Sequence, residues 1–215
     1  MSRTMKMSLV LSLVAGALAT SAQANVIVSA TYDDASGSWD GSTFRARAVA
    51  VGGLNTSGSV ARLQDPTGVA AFAPGFVAGA DAADLRIDLS STPTIDPTLR
   101  DGTGTFTFTD VDGDTISGVI SGTWENQGFA IFFNGALSNV VFSGSTFDGN
   151  TGSFLSPVGI FEGALTQLQL SPPASFFTSN YDRVPTGITA QIIPTPGALA
   201  LLGLGGLVAG RRRTR

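Results

Sequence analysis

Three aspartates alternate in the middle of the chain, Asp110, Asp112 and Asp114, and they are the residues whose spacing comes nearest to a chemical motif. Asp-x-Asp-x-Asp is the first half of a calcium loop, in which carboxylate oxygens wrap a hard cation. Here Gly113 comes too early, Thr115 stands where the loop's glycine belongs, and Ser121 occupies the twelfth position in place of a bidentate Glu. The segment is not an EF-hand. Its first reading is a set of charges solvating a hairpin tip; its second is a weak surface Ca²⁺ site, and apart from that ion no cofactor is expected. Asp33, Asp34 and Asp40, around Gly37-Ser38-Trp39, read as a second acidic turn. Glu125 and Glu162 are the only glutamates. A glycosidase needs two carboxylates about 5–10 Å apart across a sugar site. Trp124 beside Glu125 resembles a sugar subsite, but nothing in the sequence brings Glu162 to it, so the chain is read as not an enzyme and no catalytic residue is assigned. Trp39 and Trp124 read first as packing residues and second as glycan-stacking platforms. Arg45 and Arg47 share one strand face, read as solvated before it is read as anion-binding.

What is missing narrows the chemistry further. There is no His and no Cys. Zinc, haem and iron–sulfur ligation by those residues is excluded, as are Ser-His-Asp and Cys-His catalysis. Disulfides cannot support the fold. Between the two ends, residues 25–193 carry six arginines, no lysine and all sixteen acidic residues, a formal charge of −10. Such a surface repels nucleic acid, because binding phosphate requires cationic neutralisation. No Gly-rich loop leads into a helix, so nucleotide binding has no support either.

The elements that must position these residues are strands. The region is rich in Gly, Thr, Ser, Val and Phe, with two-residue alternation broken by Gly, Asp, Asn and Pro. Strands are expected over 26–32, 43–51, 59–63, 84–89, 104–109, 115–122, 129–133, 139–147, 152–155, 160–170 and 187–193. Segment 69–84 is the one candidate helix, with Pro74, Gly75 and Gly79 against a long one. Residues 172–185 read as a long loop. This pattern predicts an all-β fold, an antiparallel β-sandwich or barrel, jelly-roll-like. In the best-defined unit Phe106 and Phe108 share one strand face, and Ile116, Ile120 and Trp124 share another. Asp112-Gly113 fits a two-residue turn. Gly118 and Gly122 would leave room for large side chains from a facing sheet.

The two ends differ from the body. Residues 1–24 read as a secretory signal peptide: Arg3 and Lys6, then an apolar run, then Ala22-Gln23-Ala24 as the cleavage site. At the other end Pro194-Thr195-Pro196-Gly197 opens fourteen uncharged residues, 197–210, closed by Arg211, Arg212 and Arg213. As a helix they would reach about 21 Å, short of a hydrocarbon core of about 30 Å. The run reads as a marginal or transient span, with the arginines as a cytoplasmic basic stop and the body outside.

Residues 194–215 resemble the PEP-CTERM sorting signal, a Pro-Glu-Pro motif followed by a short apolar helix and an Arg cluster. Pro194, Pro196 and Gly197 match its motif and Arg211–Arg213 its basic end; Thr195 stands where the family has Glu. The resemblance implies a transient partner, an exosortase-like membrane enzyme, and a link to exopolysaccharide and biofilm matrix; the signal peptide at 1–24 adds a signal peptidase as a second transient partner. The expected organisation is a signal peptide (1–24), a β-rich extracytoplasmic domain (25–193) and a sorting tail (194–215) with an apolar helix. The expected function is an exported cell-surface or extracellular-matrix protein, at the outer membrane or secreted, held at least transiently by its tail. The alternative is a carbohydrate-binding β-sandwich, with or without Ca²⁺ assistance; a glycan-active enzyme ranks last.

Overall fold

The computed structural model describes residues 25–64, 67–77, 84–170 and 178–195, and the regular structure among them is entirely β. In chain order the strands are β1 (Val28–Trp39), β2 (Thr43–Arg47), β3 (Ala50–Val51), β4 (Leu54–Asn55), β5 (Ser57–Arg62), β6 (Gly68–Phe72) and β7 (Leu85–Pro93). They continue with β8 (Leu99–Thr109), β9 (Thr115–Asn126), β10 (Ile131–Phe142), β11 (Thr146–Asp148), β12 (Ser153–Leu155), β13 (Phe161–Leu170) and β14 (Tyr181–Pro194).

One large antiparallel sheet dominates. Its hydrogen-bonded neighbours run β2-β7-β8-β9-β10-β13-β14-β1, and β1 pairs in turn with β2, so the order returns to its start. The return is possible because the edge of β1 is shared. Residues 28–33 pair with β5, whereas Ser36 to Trp39 pair with β2. Between them the β1–β14 register shifts, and Asp34 takes a positive φ of 55°, the local kink expected of a bulge. Thr56 holds it: its hydroxyl donates to the Asp34 carbonyl at 3.0 Å and accepts the Val49 N–H at 2.9 Å. β6 extends β5, and β3–β4 and β11–β12 form two small separate ladders.

Alternation along each strand sends the large apolar side chains to one side. Tyr32, Phe44, Phe106, Phe108, Trp124 and Phe133 are all fully buried. Trp124 meets Phe44 edge-on, centroids 5.0 Å apart, and Phe133 at 4.7 Å. Glycines on the same side make this fit: a Cβ on Gly102 would stand 2.8 Å from the Trp124 Nε1, and one on Gly118 would stand 2.8 Å from a Phe106 ring carbon. The room at Gly118 is therefore filled from the adjacent strand, not from a facing sheet. At Gly122 the close neighbour is the backbone of β10, where a Cβ would overlap the Asn134 carbonyl oxygen.

Several sequence expectations are corrected. Residues 43–51 form two strands, with the chain leaving the sheet after Arg47. Segments 129–133 and 139–147 are largely one strand, β10, which continues through a bulge where Asn139 adopts φ 53°. The first residues of the candidate helix, 69–72, belong instead to strand β6, with Ala70 and Phe72 buried on its period of two. The expected loop 172–185 overlaps β14. Pro185 is accommodated there because, among the described residues, β13 pairs with β14 only from Thr186 onward and Pro185 pairs with Ser36 of β1. The Asp112-Gly113 hairpin exists, but its loop spans residues 110–114, not two residues, with Gly113 at φ 93°. Asp33 and Asp34 belong to β1 and form no turn with Asp40.

The expected signal peptide, cleavage residues Ala22 and Ala24, and apolar tail helix lie outside the described residues. Among the described residues no helix is long and apolar enough to cross a membrane. The folded body runs one residue further than expected, because β14 ends at Pro194.

Candidate functional site

The described part of the sorting motif is built into the sheet. Pro194 pairs with Phe161 at the end of the β13–β14 ladder. The Thr195 hydroxyl donates to the Ile160 carbonyl at 2.7 Å. One strand away the other end of the domain enters: the Ile27 N–H donates to the Ile192 carbonyl at 2.8 Å, and Val28 opens β1 opposite Ile192. Both ends of the body thus meet at one pole of the sheet. Pro196, Gly197 and Arg211, Arg212 and Arg213 lie outside the described residues.

The Asp110 loop belongs to the same pole, and its carboxylates do not act alike. Asp110 is fully buried. Its Oδ1 accepts the Asp112 N–H at 2.9 Å and the Asp114 N–H at 2.8 Å, and its Oδ2 accepts the Asp148 N–H at 2.8 Å. The Val111 N–H returns to the Asp148 carbonyl at 3.1 Å. Asp110 therefore organises the turn and ties it to β11, and both its oxygens are engaged in doing so. Asp112 is exposed, while the Asp114 carboxylate lies against Gly144 on the neighbouring connection. Among the described residues no group of three or more His, Cys, Asp and Glu side chains is arranged to hold a metal ion.

No protein-family model, no curated protein and no solved structure matches this chain.

The remaining candidates separate in space. Glu125 lies opposite Phe132 on β10, whereas Glu162 precedes Gly163, which lies opposite Leu137 across the other edge of β10. At about 3.3 Å per residue along β10 the two are roughly 20 Å apart, too far to flank one glycosidic bond. Trp124 is fully buried and Trp39 nearly so, so neither offers a face for a sugar ring; the Arg100 guanidinium lies 6.0 Å from the Trp39 ring centroid. Arg45 and Arg47 occupy the outer face of β2, as expected, where aspartates engage them. Arg47 reaches Asp88 at 2.6 Å, Arg86 reaches the same carboxylate at 3.0 Å, and Arg45 reaches Asp40 at 2.7 Å. At Asp88 partial burial works against ionisation, but Arg47 and Arg86 outweigh it and hold the group below its ordinary range. Asp40 caps the β1–β2 turn, and the N–H groups of Thr43 and Ser42, with Arg45, hold its carboxyl well below the usual range.

One titratable residue escaped sequence reasoning. Asp84 immediately precedes β7 and is fully buried, and neither carboxylate oxygen has a hydrogen-bond partner. Burial pushes its pKa up to about 7; the nearby N–H groups of Asp84 and Leu85 pull the other way but fall short of hydrogen-bonding geometry. The Tyr32 hydroxyl donates to the Asp84 main-chain carbonyl at 3.4 Å, not to its carboxylate. Burial, and then the Asp84 charge, raise the Tyr32 phenol well above its ordinary value. The only sequence signal for this site was an aspartate at the entry to an apolar strand.

Proposed function

We propose that this chain is an exported cell-surface or extracellular-matrix protein, sent out by residues 1–24 and held, at least transiently, through residues 194–215. The observation that carries this reading is how closely the fold fills the interval between the two addresses. β1 starts at Val28, just after Ala24, and β14 ends at Pro194, where the Pro-Thr-Pro motif begins. Signal peptidase and an exosortase-like enzyme are its transient partners, and matrix exopolysaccharide is the proposed setting.

The body is proposed to be an eight-stranded closed barrel of β1, β2, β7, β8, β9, β10, β13 and β14. The return of the pairing order to β1 supports it, and the neighbour-to-neighbour order favours a meander over a jelly roll. Its interior is filled by aromatic side chains and its wall is polar: Thr103, Thr105, Ser121 and Asn134 face outward and are exposed or half-buried. A membrane-spanning barrel has the reverse arrangement, an outward apolar band about 25 Å tall. The domain is therefore read as standing outside the bilayer, with the tail as its only proposed anchor. A structural role is favoured over catalysis by the lack of His and Cys and by the wide separation of Glu125 and Glu162. The carbohydrate-binding alternative loses its tryptophan platforms to the core.

Intact mass of the native protein, taken from the cytoplasm, the membrane fraction and the medium, tests this reading. The expected species begins at Asn25 and ends near Pro194–Gly197. A single species that retains Met1 and Arg215 in the soluble cytoplasm would refute it.

A further inference from the structure

We infer that the pole where the two chain ends meet is a lipid-facing surface, seated against the membrane interface while the tail is inserted. This rests on the tail reading above and goes beyond it to say which part of the body touches lipid. Four large apolar residues surround the exit: Leu63, Leu155, Val158 and Ile160 are each more than half exposed, and Val158 is entirely so. Hydrogen bonds place three of them near the chain ends, and Val158 lies two residues before Ile160. The Leu63 N–H donates to the Ile27 carbonyl at 2.8 Å, next to the Ile27–Ile192 bond. The Arg62 guanidinium donates to the Leu155 carbonyl, and Ile160 accepts from Thr195 at 2.7 Å. Exposed apolar residues grouped around one feature mark an interaction surface, whereas scattered ones do not.

The length of chain beyond the fold identifies the occupant. Only Thr195 and Pro196 separate the last paired residue, Pro194, from the uncharged run that starts at Gly197. Three residue steps of extended chain span at most about 10 Å. With the run inserted, the end of β14 cannot stand further than that from the interface, and the surrounding apolar side chains are brought to it. Thr195 shortens the tether further, because its hydroxyl is already bonded to Ile160. A Glu at that position, ionised at neutral pH, has no proton to donate. Signal residues 1–24 leave from the same pole, three residues before Ile27, so an unprocessed precursor would be oriented the same way. Asp112 and Asp114 sit on the Asp110 loop at this end. They direct the pole to a zwitterionic surface rather than an anionic one, since like charges repel.

The chain lacks cysteine, so single cysteines can be placed without background. Full-length V158C and I160C, with I95C and F129C in the loops at the opposite end, are labelled with an environment-sensitive fluorophore. They are then reconstituted into phosphatidylcholine vesicles carrying nitroxide lipids. All four side chains are well exposed, so the substitutions should leave folding intact; L63C serves as a further pole position if one variant fails. Expected are blue-shifted, quenched emission at 158 and 160 and unshifted, unquenched emission at 95 and 129. Co-flotation with vesicles but unquenched emission at every position overturns the lipid-facing pole and leaves the tail reading standing. Failure to co-float overturns both.

Discussion

Asp84 gives the sharpest test of the packing described here. Its carboxyl is fully buried without a hydrogen-bond partner, and burial raises its pKa from the ordinary 3.8 to about 7. Between those two values the folded chain holds one proton more than the unfolded chain. Stability from this group is therefore greatest in acid, falls by about 1.4 kcal/mol for each pH unit of rise, and levels off above the folded pKa. The penalty at pH 8 is of order 2–4 kcal/mol. Asp84→Asn keeps the shape and removes the charge. It should stabilise the protein at pH 8 relative to pH 4 by that amount, about 5–15 °C in Tm for a domain of this size. The readout is the difference between variant and parent at the two pH values, measured by calorimetry or denaturant titration. Effects of the new amide that do not depend on pH cancel in it, as do Asp40, Asp88 and Asp96, whose lowered pKa values act in the opposite sense and are common to both proteins. An identical stability change at pH 4 and pH 8 would refute the reasoning, because the carboxyl would then be solvated or paired.

The Asp110 loop supplies two further predictions. Asp110→Ala removes the acceptor of three N–H groups, those of Asp112, Asp114 and Asp148. The three hydrogen bonds are part-buried, so at about 0.5–1.5 kcal/mol net for each a loss of roughly 1.5–4.5 kcal/mol is expected in urea unfolding; a loss under 1 kcal/mol would mean water replaces the carboxylate at no cost. Because both Asp110 oxygens are engaged, Tm should be the same in EDTA and in millimolar Ca²⁺. A cation that binds only the folded form must raise Tm by linkage, so a clear rise would overturn that assignment.

The strand content was legible because alternation survives in the residue types. Phe106 and Phe108 on β8, and Ile116, Ile120 and Trp124 on β9, are the buried faces that their spacing predicts. Pro185 hid the start of β14, since a proline signals a loop unless one strand edge is unpaired, and that depends on where β13 ends. The acidic residues were the least legible. Asp33 and Asp34 lie within a strand, Asp40 caps a turn, Asp110 is buried as an acceptor and Asp84 is buried without a donor.

By itself the sequence determined the β class, which face of the β8 and β9 strands is apolar, and, through the lack of His and Cys, the reactions closed to this chain. The residue types at its two ends, on which the proposed export rests, are likewise a property of sequence alone. Only the tertiary structure decided that β1 divides its edge between β5 and β2, that Trp39 and Trp124 lie inside, and that Ile27 and Ile192 meet at one pole. The physical reason is that periodicity reports which face of a strand is apolar, a local property. Pairing partners, burial of a carboxyl and the meeting of chain ends depend on contacts between residues distant in sequence, which no short window contains.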